Sequence, residues 1–392
     1  MRRRHMKIAM IGHKRVPSRE GGVEVVVTEL AERLARRGHQ VDCYNRWEPS
    51  VQKDMPKRSE YKGVNLLRVR TFRHSALNAA VYSLFAVLRA VFKGYDVIHI
   101  HAEGPAAMSG VTRLFRVPTV VTIHGLDWQR AKWGGFATRY IMLGEKTAAK
   151  RADEVIVLSK DCEDYFEKTY SRHCRLINNG ITVKPPVEPD EIKSRWGLEK
   201  NGYILFLARI VPEKGLHHLI AAYREIKTDK PLVIAGNIEQ KTGYVSLVVN
   251  MASEDSRIIT TGFVTGRTFE ELMSAADIYV LPSDIEGMPI SLLEALSYGR
   301  RCLVSDIAEN RETAGEHARY FQKGDSQSLR AELEKMLREK PDEKAAEARV
   351  EYVRENFNWD AVTDATIEVY KSAIDRRSGI DKSGTVERSE RA

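Results

Sequence analysis

An alternation that runs twice constrains this chain more than any other feature. Short apolar segments at Lys7–Gly12, Gln40–Asn45, Val97–His101, Thr119–His124, Val155–Ser159 and Arg175–Ile177 are separated by stretches of helical periodicity. The first helix shows it plainly, with Val23, Val26, Val27, Leu30 and Leu34 on one stripe and Gly38 closing it. Lys184-Pro-Pro-Val-Glu-Pro189 breaks the pattern and reads as a linker. The alternation then resumes at Tyr203–Ala208, Pro231–Ala235, Ile258–Thr261, Ile278–Leu281 and Arg301–Ser305. Apolar strands alternating with helices make a mostly parallel sheet covered on both faces. The expectation is therefore an α/β chain of two doubly wound units, residues 1–183 and 190–355, facing a central cleft. Ligands of such sheets sit at the carboxyl ends of the strands. A helix over 356–375 is expected to return to the first unit, and the charged, Gly/Ser-containing stretch 376–392 to be a disordered tail.

Composition narrows the class. With 392 residues, 43% hydrophobic and 30% charged, the chain can bury two cores and is neither disordered nor a membrane bundle. Cys43, Cys162, Cys174 and Cys302 lie far apart without CxxC spacing, which predicts reduced thiols in a cytoplasmic protein rather than a disulfide frame or zinc site. The basic start is followed by too short an apolar run for a signal peptide. The longest apolar stretch, Ala79–Leu88, is about half of what a spanning helix needs. The net charge of +8 is unevenly spread: residues 1–180 carry 32 Lys and Arg against 18 Asp and Glu, and the remainder 30 against 36. Either the first half meets something anionic (a membrane surface, a lipid phosphate or nucleic acid) or its charges are merely solvated.

Two segments carry most of the chemistry. In Leu281-Pro-Ser-Asp-Ile-Glu-Gly-Met-Pro-Ile-Ser-Leu-Leu-Glu294, Pro289 suits a helix start, so Glu286 precedes the helix and Glu294 lies within it. Eight residues of helix span at most roughly 12 Å, too far for two carboxylates to share a proton or metal but suited to gripping two ends of one ligand. The N–H groups of Gly287 and Met288 at the helix start suit a phosphate or sugar oxygen. The structural alternative, an acidic helix start, covers Glu286 but not Glu294. In Phe206-Leu-Ala-Arg-Ile-Val-Pro-Glu-Lys-Gly215, Lys214 lies near a helix N-terminus, where the dipole disfavours a cation unless an anion is bound. Arg209 at the strand end and Lys214 together fit a diphosphate, one as a planar fork and the other as a point charge. An ordinary pair of Lys214 with Glu213 is the alternative.

Two further segments are weaker. Gly21-Gly22, between the first strand and first helix, lets backbone approach a ligand but matches neither a dinucleotide nor a P-loop pattern. His99, His101 and His124 stand at strand ends, the first two on one face, yet no carboxylate has metal-ligand spacing to them, and no metal is expected. His217 and His218 are expected on different faces of their helix.

Taken together these segments resemble glycosyltransferase family 4 over nearly the whole chain. Glu286 and Glu294 match its E-x7-E motif, and Leu207–Leu216 its phosphate-binding pattern. The stretches from Ile11 to Glu24 and from Thr122 to Trp133 resemble its rhamnosyltransferase-like subgroup of bacterial surface-polysaccharide enzymes. The resemblance implies the GT-B architecture of two Rossmann-like units, the first for the acceptor and the second for a nucleotide-sugar donor. It implies a retaining, metal-independent hexosyltransferase with no cofactor beyond its co-substrate. Carried over, Arg209 and Lys214 hold the diphosphate, Glu286 meets the donor sugar and Glu294 the ribose. Gly21 and Gly22 lie against the phosphates, His124 reaches the sugar near the reacting centre, and Phe263 and Val264 border the base. Arg301 and Ala308 stand where the family often has proline, which bears on the donor contacts nearby.

The expected reaction is front-side displacement at the sugar, with a UDP donor favoured and a saccharide or lipid-linked saccharide as acceptor, in polysaccharide biosynthesis. The apolar stretch after Ala79, flanked by Arg70, Arg73, Arg89 and Lys93, reads either as a helix lying on an anionic membrane or as a buried core helix. The first reading makes the protein peripheral on the inner face of the plasma membrane. A sugar-nucleotide epimerase on the same architecture is an alternative, with His124 its evident acid/base candidate. A nucleic-acid-binding protein is disfavoured by the lack of aromatic-rich basic strands or a reading helix.

Overall fold

The computed structural model describes residues 5–48, 58–71, 75–129, 134–239 and 242–378. The chain divides into two compact units, passing from the first to the second at Asn178–Asn179 and back at Asn358–Trp359.

The first unit contains strands β1 (Lys7–Ile11), β2 (Gln40–Trp47), β3 (Arg58–Tyr61), β4 (Val64–Arg70), β5 (Val97–His101), β6 (Thr119–Ile123), β7 (Glu154–Val157) and β8 (Arg175–Leu176). Helices α1 (Gly22–Arg36), α2 (Ser75–Val91), α3 (Glu103–Ala106), α4 (Ser109–Leu114), α5 (Gly135–Arg151) and α6 (Lys160–Tyr170) connect them. The second unit contains α7 (Asp190–Trp196), β9 (Ile204–Leu207), α8 (Leu216–Arg224), β10 (Leu232–Ala235), α9 (Gly243–Ser253), β11 (Ile258–Gly262), α10 (Gly266–Ala275), β12 (Ile278–Leu281), α11 (Ile290–Ser297), β13 (Arg301–Ser305), α12 (Ala308–Ala314), β14 (Arg319–Phe321), α13 (Ser326–Arg338) and α14 (Glu343–Asn356). The last helix, α15 (Trp359–Arg377), belongs to the first unit.

The first sheet runs β3-β4-β2-β1-β5-β6-β7-β8, parallel except where β3 pairs antiparallel with β4. Its central strands β5, β6 and β7 are buried along their whole length, as parallel strands covered on both faces must be. The β3–β4 hairpin was not expected from the alternation. Its turn is Lys62-Gly63, both with positive φ (47° and 81°), and β3 is a half-exposed edge whose weak apolar pattern hides it. The second sheet runs β11-β10-β9-β12-β13-β14, with each pair parallel. Here the three-residue edge strand β14 was likewise not anticipated.

Helix α15 buries Val369, Tyr370 and Ala373 in the same core as β1, β2 and α1. Arg37 of α1 reaches Asp364 at 2.9 Å and Asp360 at 3.1 Å. The helix continues to Arg377, so the expected tail boundary at 376 is corrected. Arg376 pairs with Glu154 at 3.2 Å and Arg377 with Asp153 at 2.8 Å, which holds the last turn against the start of β7. Residues 379–392 of that expected tail lie outside the described residues.

Arg301 opens β13, and its side chain turns to the amino end of the strand. It meets Asp277 at 2.5 Å and the Met336 carbonyl at 2.7 Å, and Lys230 pairs with the other oxygen of Asp277. This departure from the family's proline is thus a buried ion pair at the opposite end of the sheet from the expected ligand.

Candidate functional site

In the second unit the strand order reverses at β9 and β12: the chain winds outward to β10 and β11 on one side and to β13 and β14 on the other. Loops leaving two such strands diverge and open a crevice at their carboxyl ends. The loop after β9 carries Arg209 and Lys214, and the loop after β12 carries Glu286. One glycine draws the two loops together. Gly215 has φ 64°, and a Cβ there would lie 1.9 Å from the Pro282 carbonyl oxygen, so only glycine permits this approach. The Asp284 N–H donates to the Glu213 carbonyl at 2.9 Å and fixes the register.

The result is a coupled group rather than two separate motifs. Lys214 forms an ion pair with Glu286, and both side chains are largely buried (12% and 8% exposed). Ser283 donates to the same Glu286 oxygen at 2.6 Å. The expected alternative, Lys214 with Glu213, is not what forms. Glu213 is buried, and neither of its carboxylate oxygens has a hydrogen-bond donor among the described residues. Arg209 stands exposed just beyond β9. Helix α11 starts at Ile290, which leaves Gly287 and Met288 buried in the preceding loop, the Met288 sulfur accepting from the Asn179 N–H at 2.9 Å. Glu294 lies in the second turn of α11, 8% exposed. Tyr279 of β12 donates to Ser291 at 2.8 Å and pins that helix over the strand. Phe263 and Val264 follow Gly262 (φ 75°) at the end of β11, and the Phe263 ring is half exposed.

The first unit reverses in the same way at β1 and β5. Gly12 (φ 115°) closes β1 so tightly that a Cβ would lie 2.1 Å from the His101 carbonyl oxygen. Beyond it the Glu24 carboxylate folds back to accept the Lys14 N–H at 2.9 Å, and a Cβ on Gly21 would meet it at 2.5 Å. A side chain at Gly21 would displace the end of Glu24, while Gly22 is exposed at the start of α1. His101 Nδ1 lies 3.1 Å from His124 Nε2, and the His99 ring lies 4.0 Å from that of His101. His99 is held by Tyr370 and Thr122, each at 2.7 Å. His13, absent from the sequence-based candidates, lies 3.0 Å from Asn45 in the loop after β1. Burial lowers the pKa of His13 to about 4 and of His99 to about 3, and drives His101 well below the ordinary value. These are neutral imidazoles at neutral pH. Among the described residues no group of three or more His, Cys, Asp or Glu is arranged to hold a metal ion. His217 turns to Tyr244 of α9 at 2.9 Å and His218 to Ser326 of α13 at 3.4 Å, their rings 3.9 Å apart.

Residues 20–184 match the model described as Glycosyltransferase Family 4, and residues 188–356 that described as Glycosyl transferases group 1. The chain is a family 4 glycosyltransferase. An uncharacterized glycosyltransferase of Methanocaldococcus jannaschii is 27% identical, over 94% of this chain and 99% of that one. The alpha-maltose-1-phosphate synthase of Mycolicibacterium smegmatis is also 27% identical, over 93% and 99%. Sucrose-phosphate synthase from Thermosynechococcus elongatus shares the fold with a TM-score of 0.82 at 22% identity, over 94% of this chain and 98% of that one. Anabaena HepE, solved in complex with UDP and glucose, has a TM-score of 0.74 at 17% identity, over 94% and 100%. This glycosyltransferase therefore has two Rossmann-like parallel-sheet units of the GT-B class and is an enzyme of the hexosyltransferase type. No helix among its described residues is long and apolar enough to cross a membrane.

Proposed function

We propose that this glycosyltransferase moves a sugar from a nucleoside diphosphate sugar, UDP-linked by preference, to a saccharide or lipid-linked saccharide. The observation that carries the reading is the Lys214–Glu286 pair at the strand reversal of the second unit. A largely buried ammonium needs an anion, and a donor diphosphate supplies a stronger one than a single carboxylate. Binding of the diphosphate by Lys214 and Arg209 frees Glu286 to accept from sugar hydroxyls, while Glu294 accepts from the ribose. Gly287 and Met288 line that loop, and Phe263 with Val264 borders the base. From the first unit, His124, Gly21 and Gly22 are the proposed donor contacts.

The chemistry asked of the protein is charge stabilisation. As the glycosidic bond to the diphosphate breaks, Lys214 and Arg209 neutralise the charge growing on the leaving group, which makes a metal ion dispensable. With the donor bound, Glu286 is engaged by the sugar hydroxyls and by Ser283, so the reading assigns it no role as a nucleophile. Attack of the acceptor hydroxyl on the leaving-group face, with retention, follows in the proposal. A covalent sugar–enzyme adduct would overturn that step.

Helix α2 supports an anionic membrane as a further partner. Tyr82, Ala86, Val87 and Ala90 are buried in the core, whereas Leu84, Phe85 and, just beyond the helix, Phe92 are exposed beside Arg89 and Lys93. The buried face is that of a core helix, and the exposed face is the one this proposal offers to a membrane; Arg73 lies outside the described residues.

Thermal-shift titration with UDP, GDP, dTDP and ADP tests the donor site, with Glu294→Ala as control. A nucleotide at 100 times its dissociation constant stabilises by about 2.7 kcal/mol. Stabilisation of the wild type by one nucleotide and not of the variant is expected; indifference to all four rejects the reading.

A further inference from the structure

The two faces of the first sheet present different surfaces. Helices α2, α4, α5 and α6 share one core against it, and α1 with α15 the other. On α15 the exposed charges are mixed, with Asp360, Asp364 and Glu368 beside Lys371 and Arg376, as on an ordinary solvated face. The outer side of α2, α4 and α5 is not mixed. Between Ser75 and Arg151 the only acids are Asp96, Glu103, Asp127 and Glu145, and none of them is exposed. The exposed charges described there are all cations, among them Arg89 on α2, Arg113 on α4, and Arg139, Lys146 and Lys150 on α5. The same stretch holds eight of the eleven large apolar side chains exposed among the described residues. Single exposed apolar residues are ordinary, but such a concentration marks an interaction surface. The surface is continuous, because α4 packs against both α2 and α5. The Phe92 ring meets the Phe115 ring edge-on, centroids 5.0 Å apart, and joins the ends of α2 and α4. On α5, Phe136, Arg139, Leu143, Lys146 and Lys150 recur every three or four residues and form one stripe, opposite the buried Ile141, Glu145 and Ala148.

We propose that the whole face made by α2, α4 and α5 lies on an anionic membrane, its apolar side chains in the headgroup layer and its cations on lipid phosphates. The inference rests on the membrane reading of α2 and carries it to two further helices, which fixes how the first unit sits. A second copy of the chain fits the face poorly, since pairing it with itself sets cations against cations. A small soluble anion would meet the cations but leave the apolar side chains in water. The footprint ends at α6, where Asp161 and Glu167 are exposed. Because the face is a helix layer packed along the sheet, the sheet lies along the bilayer. The carboxyl ends of its strands then open sideways, where an acceptor carried by a lipid arrives without leaving the surface.

Vesicle flotation tests the face, with phosphatidylcholine alone or mixed with phosphatidylglycerol, at low and high salt. The wild type is expected to float with the mixed vesicles, to be released by salt, and to stay behind with phosphatidylcholine alone. On α5, Phe136→Ser with Leu143→Ser should lower the partition at least about tenfold, and Lys146→Gln with Lys150→Gln roughly twentyfold. Leu247→Ser, an exposed apolar change on α9 of the second unit, should leave it unchanged. All these positions are exposed, so melting temperatures should stay near the wild type. A second readout does not depend on affinity. A polarity-sensitive dye on Phe136→Cys, the four native cysteines being buried, should shift to the blue when mixed vesicles are added. Flotation lost with Phe85→Ser and Phe92→Ser but kept by both α5 pairs, with no dye shift, overturns the three-helix face and leaves the reading of α2 standing. A wild type that floats with neither vesicle overturns both. Self-association without vesicles, abolished by the α5 pairs, assigns the face to a second copy instead and overturns the lipid.

Discussion

At the scale of residues, the proposed donor site is a question of which anion Lys214 holds. In the structure it is Glu286, with Ser283 on the same oxygen. Lys214→Ala is expected to lower kcat/KM by about 10²–10³-fold, the usual cost of one charge-stabilising group. Glu286→Gln keeps the shape of the loop and removes the charge, so its loss should fall mainly on kcat, read from initial rates with a saturating donor. The motifs named Lys214, Glu286 and Glu294 as candidates, but not the pairing of Lys214 with Glu286. Glu213 is the sequence neighbour of Lys214 and seemed its natural partner, whereas the actual contact depends on the close approach of Gly215 to Pro282, which spacing cannot show.

At the scale of elements, Gly215 and Asp277 are the places where one side chain sets a loop or strand. Gly215→Ala must move the loop after β9 or abandon φ 64°. It is expected to cost about 2–4 kcal/mol in urea unfolding, with donor affinity falling in step. Asp277 is fully buried between Arg301 and Lys230. Asp277→Ala strands a buried guanidinium and should cost about 3–5 kcal/mol, while Arg301→Met, which strands no cation, should cost less. The alternation located the central strands because each is an uninterrupted apolar run. It failed for β3 and β14, edge strands buried on one side at most, and for the interior strand β4, whose apolar run is broken by Asn65 and Arg68.

At the scale of the whole molecule, the buried histidines govern the response to acid. His13, His99 and His101 stay neutral in the folded state, while in the unfolded chain they take up protons near pH 6.5. The unfolded state then binds more protons, so stability falls as pH drops below about 6.5 and continues to fall towards about 4, by roughly 1.4 kcal/mol per pH unit for each. Glu103, with its raised pKa, has the opposite sign: its contribution is largest below the ordinary carboxyl range and declines as pH rises. Three bases outweigh one acid between about pH 4.5 and 6.5, so the melting temperature should fall on acidification across that window, less steeply in His99→Gln. A flat profile would contradict the burial of these rings.

The return of α15 to the first unit also dictates an order of events during synthesis. The ribosome delivers β1 to β8 first, yet Val369, Tyr370 and Ala373, which complete the core against α1, come only after the whole of the second unit. The second unit has all its strands by then, and its two ends are tied by the bond from the Ile181 N–H to the Phe357 carbonyl at 2.7 Å. The usual rule that the amino-terminal part of a chain matures first is inverted. The nascent first half must wait, its α1 surface open, until the later-made half has already closed, which makes that interval the one in which a chaperone has something to hold.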